Sequence, residues 1–181
     1  MNWKVGIDKV TEDVKLLFIH LAASELNWKP NPNTWSITQN LEHLIVVNET
    51  YFPILEALKA GTYKTPFMAK FGFIVSFSGK TVLKAVKPER KKKMKTFPIW
   101  EPSNSNVQTD ILLRFEKHQN ELKRRITDAE IFINKGCVIS SPANKNIVYK
   151  LETTFDIIVS HEQRHLVQAS EILDHLKNTS R

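Results

Sequence analysis

His161 and His165 stand four residues apart in a segment with a clear helical period. Side chains at that spacing share one helix face, with Cβ atoms about 5–6 Å apart. Two imidazoles so placed can bind one metal ion at about 2.0–2.1 Å each. His165 falls on the apolar seam of its helix and His161 sits one turn earlier, so the pair faces inward or along the edge of the seam. A buried imidazole needs a partner. A shared metal supplies one for both rings, but so does ordinary hydrogen bonding. The spacing alone does not decide between them.

The same five residues, His161-Glu162-Gln163-Arg164-His165, read literally as the zinc-protease pattern H-E-x-x-H. The context excludes that reading. In the extended form of the motif, Gln168 stands where glycine belongs and Glu171 where the third histidine belongs. The other form needs a glutamate on a later helix, and the residues after His165 continue the same helix. The substrate-binding sheet of such proteases is also missing from the pattern.

Four stretches carry a helical period. The first, about 7–26, has the stripe Ile7, Val10, Val14, Leu17 and Leu21, with Pro30 and Pro32 ending it. The second, about 36–60, opens on Ser36 and Gln39, the S-x-x-Q box that satisfies two amide donors at a helix start. Its stripe runs Leu41, Leu44, Asn48, Phe52 and Leu55, and Pro53 within it predicts a kink. The third covers about 105–126, with Ile111, Phe115, His118, Leu122 and Ile126 on one side. The fourth, about 151–176, steps by four and three through Leu151, Phe155, Ile158, Glu162, His165, Ala169, Ile172 and Leu176. That seam is narrow and suits packing among helices. Residues 62–104 lack one clear period. They hold an aromatic cluster from Phe67 to Phe77, compatible with a short helix, then a basic run and the stretch around Trp100. Residues 127–150 form a second irregular connection with short β-branched pieces. The fold class expected is all-α, a four-helix bundle with one long connection between helices two and three, in one domain spanning 1–181.

Composition agrees. Apolar residues make up 41% of the 181, enough for one core at this length. No segment approaches the ~20 apolar residues of a membrane span, and residues 1–10 lack the apolar stretch of a signal peptide, so a cytoplasmic location and no membrane partner are expected. Cys137 is the single cysteine and cannot form a disulfide within the chain. The net charge of +7 is concentrated: Lys84, Lys87, Arg90, Lys91, Lys92, Lys93 and Lys95 fall within twelve residues, offset only by Glu89.

A third ligand for the histidine pair must come from upstream, and His43 is the best candidate, about two turns into the second helix. The run Trp35-Ser36-Ile37-Thr38-Gln39-Asn40-Leu41-Glu42-His43-Leu44 resembles the DinB/YfiT-like superfamily, with its tryptophan-led helix start and a His-Leu about eight residues later. The terminal helix of that family has the form H-x-x-x-H-x-x-Q, present here from His161 through His165 to Gln168. The resemblance spans roughly 5–176 in the order and spacing of the four helices. It implies a DinB-like metalloenzyme fold and a three-histidine site at His43, His161 and His165. The basic run and the aromatic cluster lie outside the family's core pattern.

Three neutral imidazoles leave a divalent ion at least one open position, the catalytic rather than the structural arrangement. Zinc or nickel is expected, although imidazole also suits copper and iron. Two enzyme readings follow. The resemblance favours a transferase acting on a small molecule with a low-molecular-weight thiol such as bacillithiol; the other reading is metal-dependent hydrolysis. Glu162 is the candidate catalytic residue in either, as a proton carrier or as a group behind the ligands, or else a surface or salt-bridging carboxylate. His118 and Gln168 are candidates for orienting ligands or touching substrate. A non-enzyme reading has the basic segment 84–95 contact nucleic acid; the plainer expectation is a solvated loop, so nucleic acid is not expected as a partner. A homodimer is expected through an exposed helix face, for which the aromatic cluster around Phe71 to Phe77 is a candidate; the same cluster could instead cover the pocket. His20 and His175 are expected to face solvent.

Overall fold

A computed structural model describes residues 2–89, 96–102 and 110–179. Helix α1 (Trp3–Phe18) is followed by the short α2 (Ala23–Asn27), α3 (Ile37–Glu49) and α4 (Phe52–Lys59). Then come a 3-10 turn at Phe67–Lys70, α5 (Gly72–Val86), a second 3-10 turn at Pro98–Trp100 and α6 (Ile111–Asn134). A two-stranded antiparallel hairpin, β1 (Val138–Ser140) and β2 (Val148–Lys150), pairs Ile139 with Tyr149 and leads directly into α7 (Leu151–Thr179). The all-α expectation holds. Helices α1 and α3 each pack against both α6 and α7, so α1, α6, α3 and α7 are the four corners of the bundle.

The local chemistry explains most boundaries. Ser36 Oγ accepts the Gln39 amide at 3.2 Å, and Gln39 Oε1 accepts the Ser36 amide at 3.2 Å, closing the box that starts α3. Pro53 sits in the first turn of α4, where its missing N–H has no partner to lose, so the expected kink is a full break between two helices. Gly61 and Gly136 follow α4 and α6 with φ of +69° and +67°, conformations that side chains with a Cβ rarely adopt.

Three features differ from expectation. The first helical stretch is two helices: Glu25 accepts the Ala22 amide at 2.7 Å, starting α2 afresh after α1 has ended. The third helix is described from Ile111 and runs on to Asn134; the expected start near Ser105 lies outside the described residues. Within it, Arg125 pairs with Glu56 at 2.6 Å and lies 4.2 Å over the Phe52 ring, tying α6 to α4. The long connection contains a fifteen-residue helix, α5, packed on α7 and β2. Its period was masked because apolar residues occupy both faces: Val75 and Gly79 inside, Phe73 and Phe77 outside. Of the basic run, residues 90–95 lie outside the described residues.

The core is divided. One apolar cluster gathers Ile7, Leu122, Ile126, Leu151, Phe155 and Ile158. The other gathers Val10, Phe18, Leu41, Leu44, Phe115 and Ala169. On α3, α6 and α7 polar residues are buried where the two sets meet: Asn48 of α3, His118 and Gln119 of α6, Glu162 and His165 of α7. A polar layer therefore crosses the bundle between two apolar halves.

Packing of α1 on α7 is tight at Gly6, where a Cβ would lie 2.7 Å from Val159 Cγ1. Alanine normally improves a helix interior by roughly 1 kcal/mol over glycine. Here the clash with a buried β-branched side chain outweighs that gain. Gly6→Ala should lower stability by about 1–3 kcal/mol in urea unfolding. The Gly6→Ala/Val159→Ala pair should cost less than the two changes summed; strict additivity would show that the contact is not the cause.

Candidate metal centre

His43 comes from α3, and His161 and His165 from α7. Their ring nitrogens converge: His165 Nε2 lies 3.0 Å from His161 Nε2, and His43 Nε2 lies 3.4 Å from the same atom. One ligand atom from each of the three histidines falls within 4.8 Å of the others. A tetrahedral ion with bonds of about 2.0–2.1 Å would hold its nitrogens about 3.3 Å apart, so the observed spacing fits one ion. Glu162, though adjacent in sequence, is outside this cluster.

The opposite nitrogens are fixed. His43 Nδ1–H donates to the Trp100 carbonyl at 2.6 Å. His165 Nδ1–H donates to Asn40 Oδ1 at 2.8 Å. The Asn40 amide cannot turn over freely, because its Nδ2 donates to the Ser36 carbonyl at 2.8 Å. With Nδ1 protonated in both rings, the Nε2 lone pairs of His43 and His165 face His161, the arrangement metal-binding histidines need. The Trp35 ring packs on both, with centroids 4.8 Å from His43 and 5.9 Å from His165.

The electrostatics point the same way. Burial pulls His43 down from 6.5 to about 4, only partly opposed by the hydrogen bond to Trp100. His161 and His165 are also held well below the ordinary histidine value, first by burial and then by their histidine neighbours and Arg164. All three rings are neutral at pH 7, as ligands must be.

Glu162 faces the bundle interior. It is fully buried, so the surface-carboxylate alternative does not hold. Its Oε1 accepts Asn48 Nδ2 at 2.8 Å and its Oε2 accepts Gln119 Nε2 at 2.9 Å. Burial pushes its carboxyl up to about 7 against the pull of those two bonds. Among the described residues Asn48 Oδ1 and Gln119 Oε1 have no donor, and turning either amide over would offer a protonated Glu162 an acceptor. His118 joins the same network, accepting from Asn48 Nδ2 at 3.2 Å and stacking on Phe52 with centroids 5.7 Å apart. Gln168 is half-buried, with no hydrogen bond to the three histidines among the described residues. His20 and His175 are exposed, as expected. Sequence reasoning missed Asn40, Trp35 and the Trp100 carbonyl as partners of the ligands. Asn40 had a usable signal, three residues before His43 on the same capped helix. A backbone carbonyl 57 residues away has none.

Fold and site together define a helical bundle with a three-histidine cluster able to bind a metal ion. The chain belongs to the DinB superfamily, whose family model matches residues 7–169. Comparison with curated proteins gives no match, and neither does comparison with solved structures.

Elemental analysis should find stoichiometric metal in the wild type and loss in His43→Ala; full retention would remove His43 from the ligand set. Asn40→Ala should keep the fold by circular dichroism but weaken metal affinity roughly 10–100-fold in chelator competition. For the metal-free protein, His43 and His118, both lowered to about 4, bind protons more readily once unfolded. Their contribution to stability is complete above pH 6.5 and is lost as pH falls toward 4, by on the order of 1 kcal/mol per pH unit per histidine. Glu162, raised to about 7, acts with the opposite sign, losing its contribution as pH rises from 4.5 through 7. Denaturant midpoints measured from pH 8 to pH 4 would show net loss on the acid side; a flat profile would contradict the burial of these rings.

Proposed function

We propose that this chain is a metal-dependent enzyme that transfers a low-molecular-weight thiol to an electrophilic small molecule. The observation that carries the reading is the convergence of three neutral imidazoles with two of their tautomers fixed from behind. His43, His161 and His165 would hold a divalent ion, zinc or nickel by ligand type, which when bound would supply Lewis acidity that makes a thiol or water more acidic.

The choice of thiol over water rests on the chain's own groups. A thiol has an ordinary pKa of about 8.5, against 15.7 for water, and therefore needs little help from a base. Among the described residues the histidine cluster contains no carboxylate, and both oxygens of Glu162 are engaged by amides. The buried guanidinium of Arg164 bears electrostatically on His161 and His165, favouring an anionic sulfur nearby. Trp35 shields the rings from water on one side. In this scheme Glu162 and His118 orient the polar layer behind the ligands and do not handle the reacting proton.

The test is a conjugation assay with the metal-loaded protein, a panel of small thiols and an electrophile, run beside ester and amide substrates. Thiol-dependent consumption of the electrophile that drops by roughly two orders of magnitude in His43→Ala supports transfer. Hydrolysis without thiol, lost in the same variant, would replace this reading with the hydrolase.

A further inference from the structure

The outer face of α5 is unusual for a protein surface. Phe73, Phe77, Lys80 and Lys84 follow one another at steps of four and three, which places them along one stripe of the helix, and Lys87 follows directly at its C-terminal end. Phe73 is 74% exposed and Phe77 72%, and the three lysines are exposed. Phe67, 67% exposed, and Phe71 extend the apolar end. The rings touch in series, Phe67 to Phe71 at 5.7 Å and Phe71 to Phe73 at 6.3 Å. Residues 62–89 contain five lysines and a single acid, Glu89.

The helix cannot rotate to bury these rings. Its other face is seated on the bundle: a Cβ at Gly79 would lie 3.1 Å from Thr153 and 3.3 Å from Tyr149. Arg164 of α7 holds its C-terminal end, donating to the Ala85 carbonyl at 3.1 Å and the Lys87 carbonyl at 3.5 Å. The stripe is held outward by packing and by a buried guanidinium.

We propose that this face docks the protein on an anionic lipid surface, with the phenylalanines entering the interface and the lysines meeting the headgroups. The proposal is independent of the reaction assigned to the metal centre. It also departs from the sequence expectation of no membrane partner, which considered spans; a helix lying in the interface plane needs an apolar patch beside lysines, not length. The charge identifies the partner as anionic, since lysines near such a surface each add attraction. A second copy of this chain would bring the same surplus of lysine to the contact. Nucleic acid is also anionic and could stack on exposed rings, so it is kept as an outcome of the test; the four phenylalanines clustered at one end of the stripe, with Phe73 74% and Phe77 72% exposed, favour an apolar interface. Hydrocarbon requires only apolar volume.

The experiment is co-sedimentation of the metal-loaded full chain with phosphatidylcholine vesicles, with and without phosphatidylglycerol. Binding to the anionic vesicles, weakened by salt, is the expected result. Phe73→Ser/Phe77→Ser and, separately, Lys80→Glu/Lys84→Glu should each lower the partition coefficient roughly tenfold or more, with helicity and metal content unchanged because these side chains touch neither core nor site. Absence of binding at physiological salt overturns the proposal, as does binding indifferent to both variants. A dimer that dissociates in the Phe variant, with no vesicle binding, assigns the face to a second copy. Tighter binding to single-stranded nucleic acid than to vesicles, lost in the same variants, assigns it to nucleic acid.

Discussion

The hydrogen bond from His165 Nδ1 to Asn40 Oδ1 joins the last helix to the third at the level of the histidine cluster. It sets which nitrogen of His165 carries the proton, and its own direction is set by the Ser36 carbonyl behind Asn40. Ser36 in turn is held by the capping box that begins α3. A helix-start motif thus fixes, through one amide, the lone pair presented by a histidine on another helix. Shifting α3 by one residue against α7 would rotate His43 away from His161 by about 100° and break this chain of contacts at the same time.

The polar layer that contains the cluster is costly to form, because each buried group needs a partner. The bundle concentrates that cost between two apolar halves, where Leu44 and Phe115 on one side and Leu122 and Phe155 on the other exclude water. The same exclusion holds His43 near 4 and lifts Glu162 to about 7. Neutral ligands and a carboxyl that can hold a proton near neutrality are two results of one desolvated layer. A metal in the cluster would bring positive charge close to Glu162, which then has reason to ionise despite its burial.

Outside the bundle proper, the stretch between α4 and α6 supplies three things the four corner helices lack. Trp100 gives His43 its acceptor and anchors itself by an indole N–H to Thr50 Oγ1 at 3.2 Å. The C-terminal end of α5 receives Arg164, a guanidinium one residue before a ligand. The outer face of α5 carries the exposed phenylalanines and lysines. The segment with the least regular sequence pattern thus contacts the histidine cluster directly, through the Trp100 carbonyl.

The corner helices were legible in local spacing, and the three clustered histidines in spacing joined to resemblance. The four-and-three step of α7 puts His165 on the buried seam, the S-x-x-Q box starts α3 two turns before His43, and resemblance joined the two motifs. The sequence by itself did not determine the break after Phe18, the length of α6, or α5, whose apolar residues lie on both sides and leave no single period to read; the interruption at Pro53 it marked only as a kink. Tertiary structure decided what each polar group faces. Glu162 shares a motif with His161 yet points to Asn48 and Gln119, because successive helix residues diverge by about 100°. His43 depends on a carbonyl from Trp100, a backbone atom that every residue possesses and that only the fold can select.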